Sequence, residues 1–598
     1  MVDGDKPATL TVIMIKPSRY DSAGYPITWY RSIIPSNTLA ELYGLGRDCA
    51  KRKVLGEDVD IILEPYDETN RRIRPRHIIS AIRRGGGKAL ICLVGVQSNQ
   101  FPRAVDLAKP FLDAGLPVML GGFHVSGCIS MLPELPPEIV AAQAMGISIF
   151  AGEAEEGRFE AVLQDAWLGR LKPLYNFLDD LPRLDGQPWP ALPASELRLS
   201  IDSRSSFDLG RGCPYQCSFC TIINVQGRKS RFRSPDDLEA IVRENAAQGI
   251  TRFFITDDNL ARNKNWEGFF DRLIALQQTD NLKVKLIIQV DTQCHRIPNF
   301  IAKAAKAGVR RAFIGLENIN PDNLIAAKKR QNKITDYRTM LQSWREHGVY
   351  TWAGYITGFP ADTKESILRD VEIIKKELPL DILELFFLTP LPGSEDHRDL
   401  QRKGAWMDAD LNKYNLHHRV SHHGRMSDRE WEEAYEAAWK NYYTSSHVET
   451  VARRHAAIVG RNPKNVVHYM MQFRAVFEIE GIHPLEGGIV RLKYRTDRRS
   501  GMRLDWPGVF HLKLAGETFR KLWHYGKLFL DARRIIGKVR SDPARYSYSD
   551  TALTPAGEDD FETLTMFSET AGAAAAVARR RAEDHRREEF ATAPASAK

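Results

Sequence analysis

The stretch GRGCPYQCSFC, residues 210–220, decides how the rest of this chain is interpreted. Cys213, Cys217 and Cys220 have the spacing CxxxCxxC, on a loop that directly follows a predicted strand. Three thiolates this close together can ligate one metal centre, but a zinc site would need a fourth Cys or His, and none lies within 70 residues on either side. A [4Fe–4S] cluster, normally held by four cysteines, would keep one iron open for substrate chemistry. The alternatives are a structural zinc site whose fourth ligand is distant in the sequence, and an accidental clustering of cysteines.

The sequence around this loop, residues 203–400, alternates strand and helix patterns. Ser234 is a good N-cap and Pro235 suits a first helical position, so a helix is predicted after the loop. After a strand that precedes Gly210, further strands are predicted at Arg252–Thr256, Lys283–Val290, Arg311–Leu316, Tyr350–Ile356 and Ile382–Leu388. About six βα units make most of a barrel of parallel strands, with its active site at the carboxyl-terminal mouth.

The first 160 residues also alternate, and they predict a second parallel sheet. The helix between its third and fourth strands is expected at Phe101–Ala114, with Pro110 as a kink. The five predicted strands are Leu10–Ile15, Val59–Leu63, Ala89–Val96, Pro117–Leu120 and Ser148–Ala151. This pattern is typical of a flavodoxin-like, doubly wound sheet, which binds ligands at the carboxyl ends of its strands. The loops expected at that edge contain Gln97, Ser98, Asn99, Gly121, Gly122, Phe123, His124, Gly152 and Glu153.

The predicted fold class is therefore α/β, with a flavodoxin-like sheet, a partial (β/α)6 barrel and a mainly helical C-terminal region. The predicted divisions are the first domain at 1–160, a linker at 161–202, the barrel at 203–400, a helical and basic region at 401–545 and a poorly ordered tail at 546–598. Within that tail an Ala- and Arg-rich helix is expected at 570–590.

Composition and charge exclude several classes of protein. The 598 residues are 43% hydrophobic and 27% charged, as in ordinary globular proteins, and no apolar run reaches the roughly 18 residues of a spanning helix. The polar start MVDGDKPATL does not resemble a secretory signal, and seven cysteines suit a reducing, cytoplasmic location. The net charge of +8 is local, because residues 491–540 contain 14 Lys and Arg against 4 Asp and Glu.

The three-cysteine motif, with the aromatic Phe219 before its last cysteine, resembles that of the radical S-adenosylmethionine (radical SAM) superfamily. Similarity to the subfamily with an N-terminal cobalamin-binding domain covers roughly residues 10–400. The segments that carry it are FITDDNLARN (254–263), FIGLEN (313–318), GYITGFPADTKES (354–366), FFLTPLPGS (386–394), and the GGxH and GE turns at 121–124 and 152–153.

This resemblance implies a radical reaction at the barrel mouth. The open iron of the cluster is expected to bind the amino and carboxylate groups of SAM. One electron, from an external donor such as flavodoxin or ferredoxin, would then release a 5′-deoxyadenosyl radical. The positions expected to serve SAM are Phe219, Asp257, Asn259, Glu317 and Gly354. Helix capping is the alternative role for Asp257 together with Asp258.

The same resemblance implies cobalamin in the first domain, near Gln97, Ser98, Gly121, Gly122, Gly152 and Glu153. The chain lacks the DxHxxG loop that supplies a lower cobalt ligand in many cobalamin proteins, which leaves open a degenerate domain kept for packing or substrate binding. His124 is expected to be a turn residue rather than a ligand. Cys49, Cys92 and Cys128 are not expected to hold a second cluster, because Cys92 lies in an apolar run typical of a core and Cys49 lies on a helix pattern. Cys294 is expected to be a buried bystander.

The basic segment 491–540 mixes Lys and Arg with aromatic residues and suggests an amphipathic helix. A solvated face, an anionic membrane surface or lipid-like substrate, and nucleic acid remain open, with nucleic acid the least favoured. His417, His418, His422 and His423 are expected to form a lid or to contact substrate rather than to bind metal.

The leading functional hypothesis is a cobalamin-dependent radical SAM enzyme that methylates an unactivated carbon of a small-molecule or lipid-like substrate. Radical cyclisation or oxidative rearrangement uses the same architecture. RNA modification and a non-catalytic iron–sulfur or cobalamin sensor are the remaining alternatives.

Overall fold

A computed structural model describes residues 8–458 and 461–592 of the chain. The first domain contains a six-stranded parallel sheet with the order β3-β1-β4-β5-β6-β7, while β2 lies outside it. Its strands are β1 (Ala8–Lys16), β2 (Thr28–Ser32), β3 (Val59–Asp67), β4 (Lys88–Leu93), β5 (Val118–Gly121), β6 (Ile147–Ala151) and β7 (Leu174–Asn176). Its helices are α1 (Asn37–Lys51), α2 (Pro75–Gly85), α3 (Phe101–Asp113), α4 (Phe123–Met131), α5 (Pro137–Ala144) and α6 (Arg158–Trp167).

The flavodoxin-like prediction is confirmed, because the five predicted strands are present in the strand order of that fold. Both faces of the sheet are buried. Val12 and Met14 of β1 face one core, and Ile13 and Ile15 face the other. A strand covered on both sides needs apolar residues at every position, which explains the uninterrupted run in β4. The sixth strand, β7, lies within the segment predicted to be a linker.

The second domain is the predicted partial barrel of six parallel strands, with the order β15-β14-β13-β12-β11-β8. Its strands are β8 (Arg204–Phe207), β9 (Gly210–Arg211), β10 (Arg231–Phe232), β11 (Arg252–Ile255), β12 (Lys285–Val290), β13 (Val309–Glu317), β14 (Tyr350–Thr357) and β15 (Ile382–Phe387). The helices of this part are α7 (Ala194–Leu197), α8 (Ile222–Val225), α9 (Pro235–Ala247), α10 (Trp266–Thr279), α11 (Phe300–Ala307), α12 (Pro321–Ala326), α13 (Tyr337–Glu346) and α14 (Lys364–Glu377). Strands β9 and β10 form a short antiparallel ribbon that spans the base of the three-cysteine loop.

The C-terminal region is mainly helical, as predicted. Its elements are α15 (Glu395–Arg402), α16 (Asp428–Tyr442), α17 (Ser445–Ala456), α18 (Lys464–Ala475), β16 (Gly488–Leu492), α19 (Pro507–Ser541), α20 (Asp560–Thr563), α21 (Thr565–Ser568) and α22 (Ala571–Thr592). Trp431, Tyr435 and Trp439 of α16 are buried in the core that this region shares with the barrel. No described helix is both long and apolar enough to cross a membrane.

The segment expected to be a poorly ordered tail packs against the barrel over its described part. Arg338 of α13 donates hydrogen bonds to the carbonyl oxygens of Thr551 and Thr554, and Met566 and Phe567 are buried. These contacts supply the burial that the polar composition did not suggest. The helix predicted at 570–590 corresponds to α22.

Strand β2 pairs antiparallel with β16, so the beginning of the chain is joined to its C-terminal region. Trp29 of β2 is buried, and its indole donates a 2.8 Å hydrogen bond to the carbonyl of Glu486. This pairing holds the residues just before β16, including His483 and Glu486, beside the opening between the two domains.

Candidate functional site: the three-cysteine loop and the interdomain cleft

The three-cysteine loop is held in place by backbone hydrogen bonds at several points. The amide of Cys213 donates to the carbonyl of Gly227 (3.3 Å), and the amide of Cys220 donates to the carbonyl of Cys217 (3.2 Å). Burial raises the pKa of Cys213 to about 11 and that of Cys220 to about 12. Because a metal binds the thiolate, these thiols need a strongly bound metal centre to lose their protons at neutral pH.

Lys329, which is buried, forms an ion pair with the partly buried Glu317 beside this loop. Lys329 also lies over the ring of Phe219, 5.8 Å from its centroid. Burial alone would lower the pKa of Lys329, but Glu317 and the neighbouring Cys217 raise it overall, so the ammonium stays charged. The sequence predicted Glu317 and Phe219 here but missed Lys329, which follows a helix rather than a strand end.

Glu317 has a backbone conformation that only a constrained site retains. Its φ is +63°, and the pairing of β13 with β14 shifts register between Gly315 and Glu317. A Cβ added at Gly315 would lie 2.7 Å from the Glu317 carboxylate and 2.9 Å from the Lys329 ammonium. Gly315 therefore leaves the space that the buried pair occupies.

Two consecutive aspartates at the end of β11 have different surroundings. Asp257 accepts hydrogen bonds from the Leu209 amide (2.6 Å) and from Asn263 (2.9 Å), and it does not line the cleft described below. Its neighbour Asp258 does line the cleft. Burial raises the pKa of each carboxyl to about 7. The sequence singled out Asp257, whereas the structure turns Asp258 toward the opening.

Asn259 connects the barrel mouth to the cysteine loop. Its side-chain amide donates to Asp291 (2.9 Å), and the Tyr215 hydroxyl, from within the CPYQC segment, donates to the same carboxylate (2.9 Å). Asn259 is therefore placed to position the loop. Gly354 lies inside the barrel, where an added Cβ would be 3.1 Å from the ring of Phe313.

The carboxyl edge of the first sheet and the mouth of the barrel enclose a cleft of about 490 Å³. Gln97, Ser98 and Asn99 line it from the first domain, and Thr256 and Asp258 line it from the barrel. Four buried polar atoms on its wall have no hydrogen-bond partner within the described structure: Asn37 Oδ1, Asn99 Oδ1, Thr256 Oγ1 and Asn415 Nδ2. Buried polar groups normally have a partner, so these four atoms fit a polar ligand in the cleft.

The predicted glycine turns of the first domain shape this edge without lining the cleft. A Cβ at Gly122 would lie 2.2 Å from the Val96 backbone, and one at Gly152 would lie 2.9 Å from the Phe177 backbone. Gly121 ends β5 in close contact with Phe150. These glycines let neighbouring chain segments approach closely.

Glu153, predicted to bind cofactor, lies instead in a buried ion network between the domains. It accepts hydrogen bonds from Arg211 (2.7 Å) and Arg231 (2.5 Å). Arg211 also contacts Glu155 at 2.6 Å and Asp208 at 2.9 Å. Since Glu153 and Glu155 belong to the first domain and Arg211 follows the first barrel strand, the network joins the two halves of the cleft.

The histidines that drew attention in the sequence have separate partners. His124 is the second residue of α4; it is buried and contacts Ser98 through Nδ1 (3.1 Å), and it does not line the cleft. His417 contacts the Tyr435 hydroxyl (2.9 Å), and His423 donates to the Phe359 carbonyl (2.9 Å). His418 contacts Asn415 (3.0 Å), while His422 contacts Asp428 (2.8 Å).

The remaining cysteines are buried in hydrophobic cores. Cys49, Cys92 and Cys294 belong to the larger core, and Cys128 belongs to the second core of the first domain. Within the described residues, the donor set of the loop is therefore three thiols. This donor set fits a [4Fe–4S] cluster with one iron free of protein ligands.

Comparison with known proteins agrees with this chemistry. Residues 208–374 match the radical SAM superfamily. The bacteriochlorophyllide d C-8(2)-methyltransferase of Chlorobaculum tepidum is 28% identical over 346 residues, which are 55% of this chain and 72% of that protein. The hopanoid C-2 methylase of Rhodopseudomonas palustris is 25% identical over 323 residues, covering 53% of this chain and 58% of the relative.

A solved structure shares the fold over nearly the whole chain. The cobalamin-dependent S-adenosylmethionine radical enzyme OxsB, with aqua-cobalamin bound, covers 94% of this chain and 84% of its own, with a TM-score of 0.50 and 13% identity. The likeness supports the arrangement of a doubly wound domain, a partial barrel and a helical C-terminal region. The motif and its loop geometry lie within residues 208–374, the part of the chain that matches the radical SAM superfamily.

Proposed function

We propose that this protein is a cobalamin-dependent radical SAM methyltransferase that acts on an unactivated carbon of a small-molecule or lipid-like substrate. One observation carries the proposal: the three-cysteine loop lies beside a cleft enclosed by two domains, and four polar atoms in the wall of that cleft have no partner among the described residues. A cysteine loop that only held a metal centre would not need a cleft shared with a flavodoxin-like sheet.

The residues divide into three groups by position. Cys213, Cys217 and Cys220 would hold the cluster, with the Lys329 ammonium offsetting part of its negative charge. Asp258 and Thr256 would contact SAM at the barrel mouth. Gln97, Ser98 and Asn99 would contact cobalamin at the edge of the first sheet. The cluster and SAM supply a carbon radical, and cobalamin supplies a methyl group.

Several observations support methyl transfer to a small molecule. The two curated relatives are named for methylation of a bacteriochlorophyllide and of a hopanoid, neither of which is a nucleic acid or a protein. The other described cysteines are buried in cores, so the electron would come from an external carrier such as flavodoxin or ferredoxin. A cytoplasmic location suits such a carrier and an oxygen-sensitive cluster.

The test is anaerobic reconstitution of the full chain with iron, sulfide and cobalamin, followed by SAM and reductant. We expect four irons per chain and the release of both 5′-deoxyadenosine and S-adenosylhomocysteine. Cys217→Ala should abolish both products. Cys49→Ala, at a buried cysteine outside the loop, is the matched control and should retain them.

The products discriminate between the alternatives. Release of 5′-deoxyadenosine without S-adenosylhomocysteine would contradict methyl transfer and favour cyclisation or oxidative rearrangement. An absence of SAM cleavage in cluster-loaded protein would contradict an enzymatic function altogether.

A further inference from the structure

Helix α19 is unusually long and only partly packed. It spans 35 residues, and its last third is anchored by the buried Ala532, Ile535, Ile536 and Val539. In the preceding two-thirds only Phe510 is buried. Most of the helix thus rests on the protein along one side and leaves the other side uncovered.

The uncovered side is strongly apolar. Ten of the 21 large hydrophobic side chains that are exposed in the described structure lie between Met502 and Leu530. Trp506 is 82% exposed, Leu512 is 76% exposed and Phe519 is 74% exposed. Single exposed apolar residues are normal on proteins, but such a concentration on one helix and the residues just before it indicates an interaction surface.

Four of these side chains form a stripe with a basic row beside it. Leu512, Phe519, Trp523 and Leu530 fall within about 40° of one another around the helix axis, given about 3.6 residues per turn. The row consists of Lys513, Arg520, Lys527 and Arg534, spaced every seven residues. We call the stripe and the row together the outward face of α19.

Two of the four cations in the row are paired: Lys513 with Asp505 (3.1 Å) and Arg534 with Asp531 (2.6 Å). Of the two acidic residues of the helix, Glu517 pairs with Lys493 and Lys521, and Asp531 also contacts Ser445. Arg520 and Lys527 have no carboxylate within ion-pair distance among the described residues, and Lys527 lies 5.2 Å from the centroid of the Trp523 ring.

We propose that the outward face of α19 docks this protein on an anionic membrane surface, with the helix lying in the plane of the lipid headgroups. Helices that lie in the membrane interface typically have a stripe of Trp, Phe and Leu with Lys and Arg beside it. The helix lies on the membrane and does not cross it, because no described helix is apolar enough to span a bilayer.

A second copy of the chain fits this face less well. A two-fold symmetric pair brings the same patch of both copies together, so the Arg520 and Lys527 side chains of the two rows would approach each other. An anionic bilayer instead matches both the apolar stripe and the positive row.

A cavity lies next to the outward face of α19. Leu522 and Phe529, both exposed, line a cavity of about 560 Å³ that lies between α18, β16 and α19. Its walls are mainly apolar, with Met471, Val476 and Ile489 among them. Apolar surface is thus continuous from the outward face to the interior, which adds to the area that docking would cover.

The experiment uses the full chain and co-sedimentation with vesicles of phosphatidylcholine, with and without phosphatidylglycerol. We expect binding to the anionic vesicles that weakens as salt increases. Trp523→Glu combined with Leu512→Glu should weaken binding by at least about tenfold, since it removes apolar contact and adds negative charge. Trp406→Glu replaces an exposed tryptophan outside the helix and should leave binding unchanged.

Two results would overturn the proposal: no binding of the unaltered chain to anionic vesicles, or equal binding by the helix variant and the unaltered chain. A concentration-dependent dimer in the absence of vesicles, lost in the helix variant, would assign the face to a second copy instead. Circular dichroism checks that the variant is folded. SAM cleavage in solution should be the same in all variants, which separates this test from that of the proposed reaction.

Discussion

At the scale of single residues, Lys329 is the most informative side chain of the site. It is a buried cation beside Glu317 and near the thiols of Cys217 and Cys220. A cluster bound by three thiolates carries negative charge, and each added electron increases it. A fixed cation nearby therefore favours the reduced state, because electrostatic surroundings tune the potentials of iron–sulfur centres.

Lys329→Met should leave the cluster assembled but make it harder to reduce. We expect the reduction potential to fall by the order of 60 mV, a tenfold change for one electron. Redox titration monitored by electron paramagnetic resonance measures this shift. Lys328→Met is the matched control, since Lys328 is more exposed and pairs with Glu395. An unchanged potential at full iron content would contradict the assignment.

The sequence identifies site residues whose spacing along the chain is itself the signal, and it misses residues that only the fold brings together. Cys213, Cys217 and Cys220 are recognised by spacing alone. Lys329 and Glu317 lie twelve residues apart on different elements, and their pairing depends on the backbone turn at Glu317. No local pattern encodes that turn.

At the scale of elements, α14 is tied to the barrel by a buried carboxyl. Asp370 of α14 accepts a 2.7 Å hydrogen bond from the Tyr355 hydroxyl of β14. Burial raises the pKa of Asp370 to about 7, from an ordinary value near 3.9 in unfolded chains. Between about pH 4 and pH 7 the folded state therefore binds the proton more strongly, and this group's contribution to stability falls as pH rises.

Asp370→Asn keeps an acceptor for Tyr355 and removes the titration. The variant should gain stability relative to the unaltered protein as pH rises from about 4 to 7, by an order of a few kcal/mol, and the difference should level off above pH 7. Thermal unfolding followed across this pH range measures the difference in Tm. A difference that does not vary with pH would show that Asp370 is not the titrating group.

Elements were predictable in type more often than in detail. Ser234 caps α9 as expected, with Asp237 completing a capping box. The cap of α14 is Thr363 with Ser366, while the nearby Asp362 accepts from the amides of Gly358 and Phe359, a role that its sequence position does not indicate. Strand β7 has only three residues, too few for a period-two pattern to stand out.

At the scale of the whole molecule, Arg211 joins the two domains that enclose the cleft. It is buried among Glu153, Glu155 and Asp208. Burial would raise the pKa of Asp208, but Arg211 and Arg233 hold it well below its ordinary range, so that carboxyl stays ionised. Removing Arg211 would leave buried negative charges without a counterion.

Arg211→Met should destabilise the protein by about 3–5 kcal/mol, the usual cost of breaking a buried ion pair from one side. We also expect faster proteolysis between the domains, within residues 177–203. Arg170→Ala removes an exposed arginine paired with Asp165 and should cost less than about 1 kcal/mol. Equal stability of the two variants in chemical denaturation would refute a joining role for Arg211.

The overall architecture was predictable because each sheet has its own hydrophobic periodicity. The placement of the domains was not, because it depends on pairs such as Glu153 with Arg231, which lie 78 residues apart. The GE turn was noticeable in the sequence, but its glutamate serves the contact between domains. The predicted domain boundaries and cofactor contacts remain predictions.

The pairing of β2 with β16 has a consequence for synthesis of the chain. Thr28 pairs with Leu492, so more than 460 further residues must be synthesised before β2 can pair with β16. At about 5–20 residues per second this takes tens of seconds, during which the Trp29 indole cannot make its hydrogen bond to the Glu486 carbonyl. Nascent protein would be open to chaperones throughout that interval, and fragments that stop before β16 should aggregate even if their two sheets are complete.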